Sequence, residues 1–435
     1  MSMRSRIVAL VLSTVALLPG RGMAQSQSFT MAQAVAIALE RNRDVIAARM
    51  QIRAAELDQV AAELYPNPVL SYSIGNLPVG SGNRFNTAEG APPSPGFFSQ
   101  PVQAVGISEI IDIWAKRRAR VNAAERAVER RRFEVADALR DIVRAVRSAF
   151  ADVEREQSER QLSHDMQSRY DETLRLSRAR YAAGEISEAE LRKIELEGLK
   201  YQTDVIAADT EYDLARQKLA ALLSLRSDAE LPSQLADETG PDDATQPLPA
   251  LVERAMQRRP DVRAADRARL FAEASLNSAR RDALPDVTLS ATFQHSDFLV
   301  SGDNPNTLGF GVALPLPIFD RNQANIGRAE LEMRRAANEM ARLEIVVRRE
   351  VADAARRVAR AKSLLDVFEH GGMLDRADNS LRVAEKSYKA GAISLLELLE
   401  AQRTFLETRA QYLRAQYDHR QSRVDLRYAL GEEGK

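Results

Sequence analysis

The sequence has no cysteine. That absence excludes a disulfide framework, a zinc knuckle, a thiol nucleophile and a lipid anchor attached through cysteine. The four histidines, His164, His295, His370 and His419, are scattered without metal-ligand spacing. The phosphate-cradling GxxxxGK pattern, HExxH and the nucleophile elbow are all missing, so the sequence reads as a non-enzyme that calls for no cofactor and takes its energy from a partner. One-signed charge is missing too. The formal net charge is -1, which gives no global field toward nucleic acid. Long apolar runs are scarce. The run Ile7–Leu18 is too short to cross ~30 Å of hydrocarbon as a helix, and no later run reaches spanning length. Preceded by Arg4 and Arg6 and followed by Gly22-Met23-Ala24, it reads as a secretory signal peptide over residues 1–24. The mature chain is then periplasmic or crosses a membrane as β-strands.

What is present is helix-forming material. Charged residues make up 28% of the 435 residues and aromatics 6%, the balance of long helices. It is also duplicated. RNRDVIAAR at 41–49 returns as RRPDVRAAD at 258–266, YPNPVLSYS at 65–73 as LPDVTLSAT at 284–292, and YAAGEIS at 181–187 as YKAGAIS at 388–394. VGISEIIDI at 105–113 is matched in place by VALPLPIFD at 312–320. Two repeats follow, 25–226 and 248–435, joined by a Pro/Asp-rich segment at 227–247 that reads as an equatorial linker.

Each repeat reads helix, strand, loop, strand, long helix, glycine turn, helix. In the first, a helix from about Thr30 to Leu64 stops before Pro66 and Pro68. Strands are expected at about 69–75 and 102–113, around a Gly/Pro/Ser/Asn-rich loop. In the second, strands are expected at about 287–294 and 308–318, after a helix over about 248–283. Between Ala115 and Tyr181 there is neither proline nor glycine. Val135, Leu139, Ile142, Val146, Phe150 and Val153 step by four and three, a coiled-coil seam. A helix of that length extends ~100 Å, far more than a globular core needs. Its counterpart runs from about Arg321 to Lys389, with a bend expected at Gly371-Gly372. The helices over 30–64 and 188–224, set end to end, reach a similar height.

The strands alternate apolar with small or polar residues, which suits a barrel wall between lipid and water and equally a soluble hairpin on a helical core. Four strands cannot close a barrel, and an open edge in lipid leaves backbone groups unpaired. If these strands span a membrane, two, three or four chains share one barrel. The other reading is a periplasmic coiled-coil scaffold.

Two tandem units with paired strands, long helices and the turn Y-x-x-G-x-x-S resemble the TolC-type outer-membrane factor family. The resemblance implies a mainly α protein with a transmembrane β-barrel. It implies a homotrimer with a shared 12-stranded barrel in outer-membrane lipid, four strands per chain, and a long periplasmic α-helical coiled-coil barrel. It places loops 76–101 and 295–307 outside the cell and the hairpin tips near 184 and 391 at the periplasmic end. It implies a passive efflux duct working with a periplasmic adaptor and an inner-membrane RND-type pump, with no nucleic acid partner. YPNPVLSYSIGN, ALPLPIFDRNQANIGRAE and AGAISLLELLEAQRTF look most like the subgroup serving cobalt-zinc-cadmium resistance pumps. Ducts for drugs or secreted polypeptides are the alternative within the family.

The tip carries the candidate residues. Gly184 and Gly391 suit the left-handed end of a helix, and Ser187 and Ser394 are natural caps of the next one. Glu190 and Glu397, three residues on, would complete a capping box twice. These turns are where the resemblance places adaptor docking. It also assigns Glu397 and Glu400 to an acidic ring at the closed mouth, and Tyr388 with Glu190 to a latch between the two repeats. Lys193 stands opposite Glu400 in the first repeat, and Ile393 replaces an arginine that joins the latch in some members. As local chemistry alone, the same residues build two helix hairpins.

Overall fold

The computed structural model describes residues 29–75, 77, 101–232, 235–236, 246–296 and 304–432. The expected signal peptide, most of loop 76–101 and part of loop 295–307 lie outside them. In chain order the elements are β1 (Phe29–Thr30), α1 (Met31–Arg41), α2 (Arg43–Glu63), β2 (Val69–Gly75), β3 (Val102–Ile111), α3 (Lys116–Ala182) and α4 (Glu188–Leu222). A short 3-10 turn, Asp228–Glu230, and β4 (Leu235–Ala236) lead to the second repeat. There follow α5 (Leu248–Arg258), α6 (Pro260–Asp282), β5 (Val287–Ser296), β6 (Asn306–Ala313), α7 (Gln323–His370), α8 (Met373–Lys389) and α9 (Leu395–Leu430). Strands β2-β3-β5-β6 form one antiparallel sheet in that order. Below it, α3 lies between α2 and α4 on one side and α6 and α9 on the other, and α7 packs on α6 and α9.

Backbone features recur with the repeat. The left-handed residues Ala115 and Asn322 turn strand into helix, Gly184 and Gly391 turn the hairpins, and Ser224 and Gly431 end the return helices. Each pair is 207 residues apart. Only Gly and short polar residues adopt this conformation cheaply, so these positions mark where the path is imposed by the fold.

Three expectations are corrected. The first helix of each repeat is broken, at Asn42 and at Arg259, both extended (ψ 130° and 125°). Pro260 disfavours a helical residue before it. At Asn42 the side chain caps α2 by accepting from Asp44 and Val45 N–H, at 2.8 and 3.3 Å. The strand expected over 308–318 ends at Ala313, because Pro315 and Pro317 carry no N–H for a ladder. The strand expected over 102–113 ends at Ile111, where Asp112 accepts from Lys116 and Arg117 N–H to start α3. Within the expected linker, residues 227–232 dock: Leu231 is buried with Phe29 and Phe150, and Arg216 donates to the Asp228 and Leu231 carbonyls. Beyond them β4 pairs in parallel with β1.

The two broken helices share a joint. Asn42 Nδ2 donates to the Leu222 carbonyl at 2.8 Å, and Arg259 Nη1 donates to the Ala429 carbonyl, 207 residues later, at 3.4 Å. In the second repeat the joint is ionic. Arg259 (3% exposed) pairs with Asp261 at 2.6 Å and Glu350 at 2.7 Å, while Arg140 (4% exposed) reaches Asp137 at 2.7 Å and Asp261 at 3.5 Å. Burial pushes the Asp261 carboxyl up, but the hydrogen bond from Arg259 and the charges of Arg140 and Arg259 outweigh it and hold the group below its ordinary value.

Asp261→Asn removes one partner of a buried pair and is expected to cost about 3 kcal/mol in thermal melts at neutral pH. A depressed folded-state value means the contribution is present above the ordinary 3.8 and is lost as pH falls through the folded value. The parent should therefore converge on Asp261→Asn in acid. Asp137, which burial pushes above its ordinary value, acts in the opposite sense, and because the Asp261 charge adds to that rise the variant also relieves part of it.

Candidate pore wall and tip gate

The register sorts the sheet into two faces. Leu70, Ile107, Ala291 and Phe310 form one cross-strand row, and Tyr72, Val105, Phe293 and Leu308 the next. Between them, Ser71, Gly106, Thr292 and Gly309 form a row on the opposite face. The apolar face is open: Phe310 is 81% exposed and Leu70 75%. The other face carries small and polar residues and is itself exposed on β2 and β6, with Ser290 Oγ so close that a Cβ at Gly311 would lie 2.6 Å from it. An apolar patch of this extent marks a surface meant to be covered. Strands β2 and β6 each have one neighbour, so both edges of the sheet are unpaired. The helical layer has matching ends. Leu196 and Ile206 of α4 are 69% and 67% exposed, and Ile345 of α7 and Val383 of α8 are 71% and 64% exposed.

At the elbow between sheet and helices, three of the cations that follow Trp114 make structural contacts. Lys116 pairs with Asp286 at 2.7 Å. Arg117 donates to the Glu63 carbonyl and lies over the Tyr65 ring, 4.2 Å from its centroid. Arg120 reaches the Ala62 carbonyl at 3.5 Å. Cations thus satisfy the last carbonyls of α2, where the helix dipole favours them. Trp114 donates to the Pro285 carbonyl, and Arg281 donates back to the Trp114 carbonyl, tying both repeats together at this level.

At the other end, Gly184 (φ 75°) and Gly391 (φ 71°) close the hairpins. Ser394 and Glu397 form a complete capping box: Ser394 Oγ accepts from the Glu397 N–H at 3.4 Å, and Glu397 Oε2 accepts from the Ser394 N–H at 2.8 Å. Ser187 caps the Glu190 N–H at 3.2 Å without the reciprocal bond, so the expected second box is only half made. Glu397 and Glu400 are both exposed, a turn apart on one side of α9, and Lys193 is exposed on α4. Among the described residues no group of three or more metal-ligating side chains comes together, and no helix is long and apolar enough to cross a membrane.

Within one chain the structure does not bring Tyr388 and Glu190 together. Tyr388 is 2% exposed, and its hydroxyl lies 3.1 Å from Ser177 Oγ rather than bonding to Glu190, which is half-buried on α4. Arg180 places its guanidinium 5.3 Å from the Tyr388 ring centroid and donates to the Tyr388 carbonyl at 3.4 Å. A cation from the first repeat thus stands beside the tyrosine although Ile393 carries none. Lys389–Glu172 at 2.6 Å and Arg169–Glu385 at 3.4 Å add ion pairs between the hairpins. Beneath them Met166, Tyr170, Ile194, Tyr388, Leu395 and Leu398 form one buried cluster. Ser177, Arg180, Glu172 and Arg169 carry no motif. They are identified only by which helices meet.

Residues 34–225 and 251–432 match the family described as outer membrane efflux protein. The chain is 28% identical to the cobalt-zinc-cadmium resistance protein CzcC of Cupriavidus metallidurans, over 88% of this chain and 85% of that protein. It is 30% identical to the cation efflux system protein CusC of Escherichia coli, over 52% of this chain and half of that protein's length. Among solved structures, the CmeC outer membrane channel of Campylobacter jejuni superposes with a TM-score of 0.75 at 19% identity, covering 93% of this chain and 86% of that one.

Ser177→Ala and Tyr388→Phe are each expected to cost about 1 kcal/mol in denaturant melts, and the double variant little more than either alone. Fully additive costs would mean that the two hydroxyls do not bond.

Proposed function

The chain belongs to the outer membrane efflux protein family, and from that premise we propose that three copies close into one duct across the outer membrane and periplasm. One observation carries this reading: the sheet exposes an entire apolar face and leaves both edges, β2 and β6, unpaired. In hydrocarbon each unpaired backbone group costs several kcal/mol, so β6 of one copy meets β2 of the next until the ring closes. The exposed apolar ends of the helical layer meet in the same sense. Edges that differ from one another generate a ring, not a two-fold dimer. Three chains of four strands make a 12-stranded barrel above a helical tunnel that leads to the tip hairpins.

The duct is passive. A proton-driven inner-membrane pump of the RND type supplies the work, and a periplasmic adaptor docks on the tip turns around Gly184, Ser187, Gly391 and Ser394. The cargo reading, heavy-metal cations, is supported by the printed names of CzcC and CusC. A conduit for such ions needs a field and not a tight site. Glu397 and Glu400 from three copies put six carboxylates around the mouth, which attracts cations and excludes anions.

In planar bilayers, Glu397→Gln/Glu400→Gln is expected to bring the cation-to-anion permeability ratio toward one and to weaken block by Zn2+ or Cd2+ about tenfold, ~1.4 kcal/mol. An unaltered ratio together with unaltered block would remove the acidic ring from the account. For the cargo, a strain lacking this chain should lose tolerance to cobalt, zinc and cadmium and keep its tolerance to drugs. The reverse pattern would make drugs the cargo.

A further inference from the structure

The two repeats build their strand pairs to one plan, and that plan points across the open edges of the sheet. YPNPVLSYS at 65–73 returns as LPDVTLSAT at 284–292, so β2 and β5 correspond at an offset of 219. Ser71 pairs with Gly106, and its counterpart Ser290 pairs with Gly311, which puts β3 and β6 at an offset of 205. That is two fewer than the 207 between Ala115 and Asn322, and the two additional residues fall in the stretch after Ala313 that carries Pro315 and Pro317. The correspondence extends to side chains. Ser71 Oγ donates to the Gly106 carbonyl at 3.3 Å, and Ser290 Oγ donates to the Gly311 carbonyl at 3.4 Å. In each pair the glycine leaves room for the hydroxyl. A Cβ at Gly106 would lie 2.8 Å from Ser71 Oγ, and one at Gly311 would lie 2.6 Å from Ser290 Oγ.

Gly106 has a second hydroxyl beside it. Thr292, opposite it on β5, places Oγ1 3.1 Å from the same Cβ position. Gly311 lacks this second neighbour: among the described residues, only Ser290 Oγ comes within 4 Å of its Cβ position. Its other side faces the unpaired edge of β6. The residue that corresponds to Thr292 is Ser73, which is exposed on β2, the other unpaired edge. Each edge thus holds the half of the arrangement that the other lacks.

We propose that β6 of one copy pairs with β2 of the next in the register that joins β3 to β5 inside the chain. Gly311 then lies opposite the next copy's Ser73, Val312 opposite its Tyr72 and Phe310 opposite its Ile74. The faces agree. Phe310, Val312, Tyr72 and Ile74 all belong to the exposed apolar face, and a slip by one residue would set them against the small, polar one. The strand tilt agrees as well. The row Leu70, Ile107, Ala291, Phe310 continues to Ile74 of the next copy, a shift of four residues per chain. With strands ~4.8 Å apart and ~3.3 Å per residue, three chains of four strands then tilt by about 35°, as barrels do. A slip of two residues gives about 19° or about 46°. The first is too upright for a barrel. The second puts Gly75 opposite Gly311 and leaves the place of the second hydroxyl empty. The proposal rests on the reading of three copies in one ring and adds which residues meet where the ring closes.

The absence of cysteine gives a clean background for the test. Residues directly opposite on antiparallel strands have Cα atoms about 5 Å apart, within reach of a disulfide, and a residue two along lies beyond it. In the whole chain inserted in lipid vesicles, Val312→Cys/Tyr72→Cys treated with a lipid-soluble oxidant should form disulfides between copies roughly tenfold faster than Val312→Cys/Leu70→Cys or Val312→Cys/Ile74→Cys. If either of those two reacts fastest, the register is wrong and the shared barrel still stands. If none of the three pairs links one copy to another, the register and the closed ring fall together. The hydroxyl is tested separately. Ser73→Ala should raise the rate at which trimers come apart in hot detergent by about threefold. A parent-like rate would overturn the Ser73–Gly311 contact.

Discussion

The rest of this architecture depends on one constraint: in hydrocarbon, every backbone N–H and C=O must find a partner within protein. The chain supplies four strands whose apolar face is open along its length, and it leaves two edges of that sheet unpaired. Neither defect can be repaired inside one copy. The helical layer inherits the same incompleteness, since α4 exposes Leu196 and Ile206 at one end of the row and α7 and α8 expose Ile345 and Val383 at the other. A single physical demand, closure, thus sets the order of strands and the order of helices together. The elbow enforces that coupling: Trp114, Pro285 and Arg281 join the first repeat to the second where sheet becomes helix.

Duplication explains how so long an object is specified by so little information. The left-handed pairs Ala115/Asn322, Gly184/Gly391 and Ser224/Gly431 place each change of direction twice. Yet the repeats are not energetically equal. Where the first repeat uses the neutral amide of Asn42 to join its broken helix to the return helix, the second uses Arg259 among Asp261, Glu350 and Arg140. Buried ion pairs add little net stability over apolar packing, but they tolerate few alternative arrangements. The second joint therefore fixes the angle between α3, α6, α7 and α9 more sharply than an amide could. It lies above the break at Gly371-Gly372, where α7 ends and α8 begins.

Much of this was legible in the chain. The four-and-three spacing and the absence of Pro and Gly between Ala115 and Tyr181 led to α3, which is observed at Lys116–Ala182. Alternation in 69–75 led to β2, and the glycine turns stand where Gly184 and Gly391 placed them. The misses have physical reasons. Continued alternation through Leu314, Leu316 and Ile318 suggested strand, but apolar spacing does not supply the N–H groups that Pro315 and Pro317 lack. The break at Arg259 had a visible signal in Pro260, whereas at Asn42 the only local signal was a residue type that caps helices, and its amide also donates to the Leu222 carbonyl 180 residues away. The same holds at the tip. Local chemistry indicated Ser394 and Glu397, but the partner of Tyr388 depends on how two hairpins pack, and Ser177 and Arg180 were invisible for that reason.

A duct faces two opposing requirements. It must be stiff over ~100 Å so that both ends stay aligned, and it must yield at one end so that cargo enters. Uniform apolar packing satisfies the first and defeats the second, because a continuous core distributes any displacement along its whole length. Interrupting the core resolves the conflict. The equatorial clusters around Phe150 and Val351 keep the column aligned with the barrel, while the separate cluster around Tyr170 and Leu398 keeps the tip coherent. Charge placement agrees with this division. The ion pairs that join the hairpins, Lys389–Glu172 and Arg169–Glu385, are partly exposed and individually weak. They can set the orientation of the hairpins at the mouth without locking it, and the buried network at Arg259 is kept for the level that should not move.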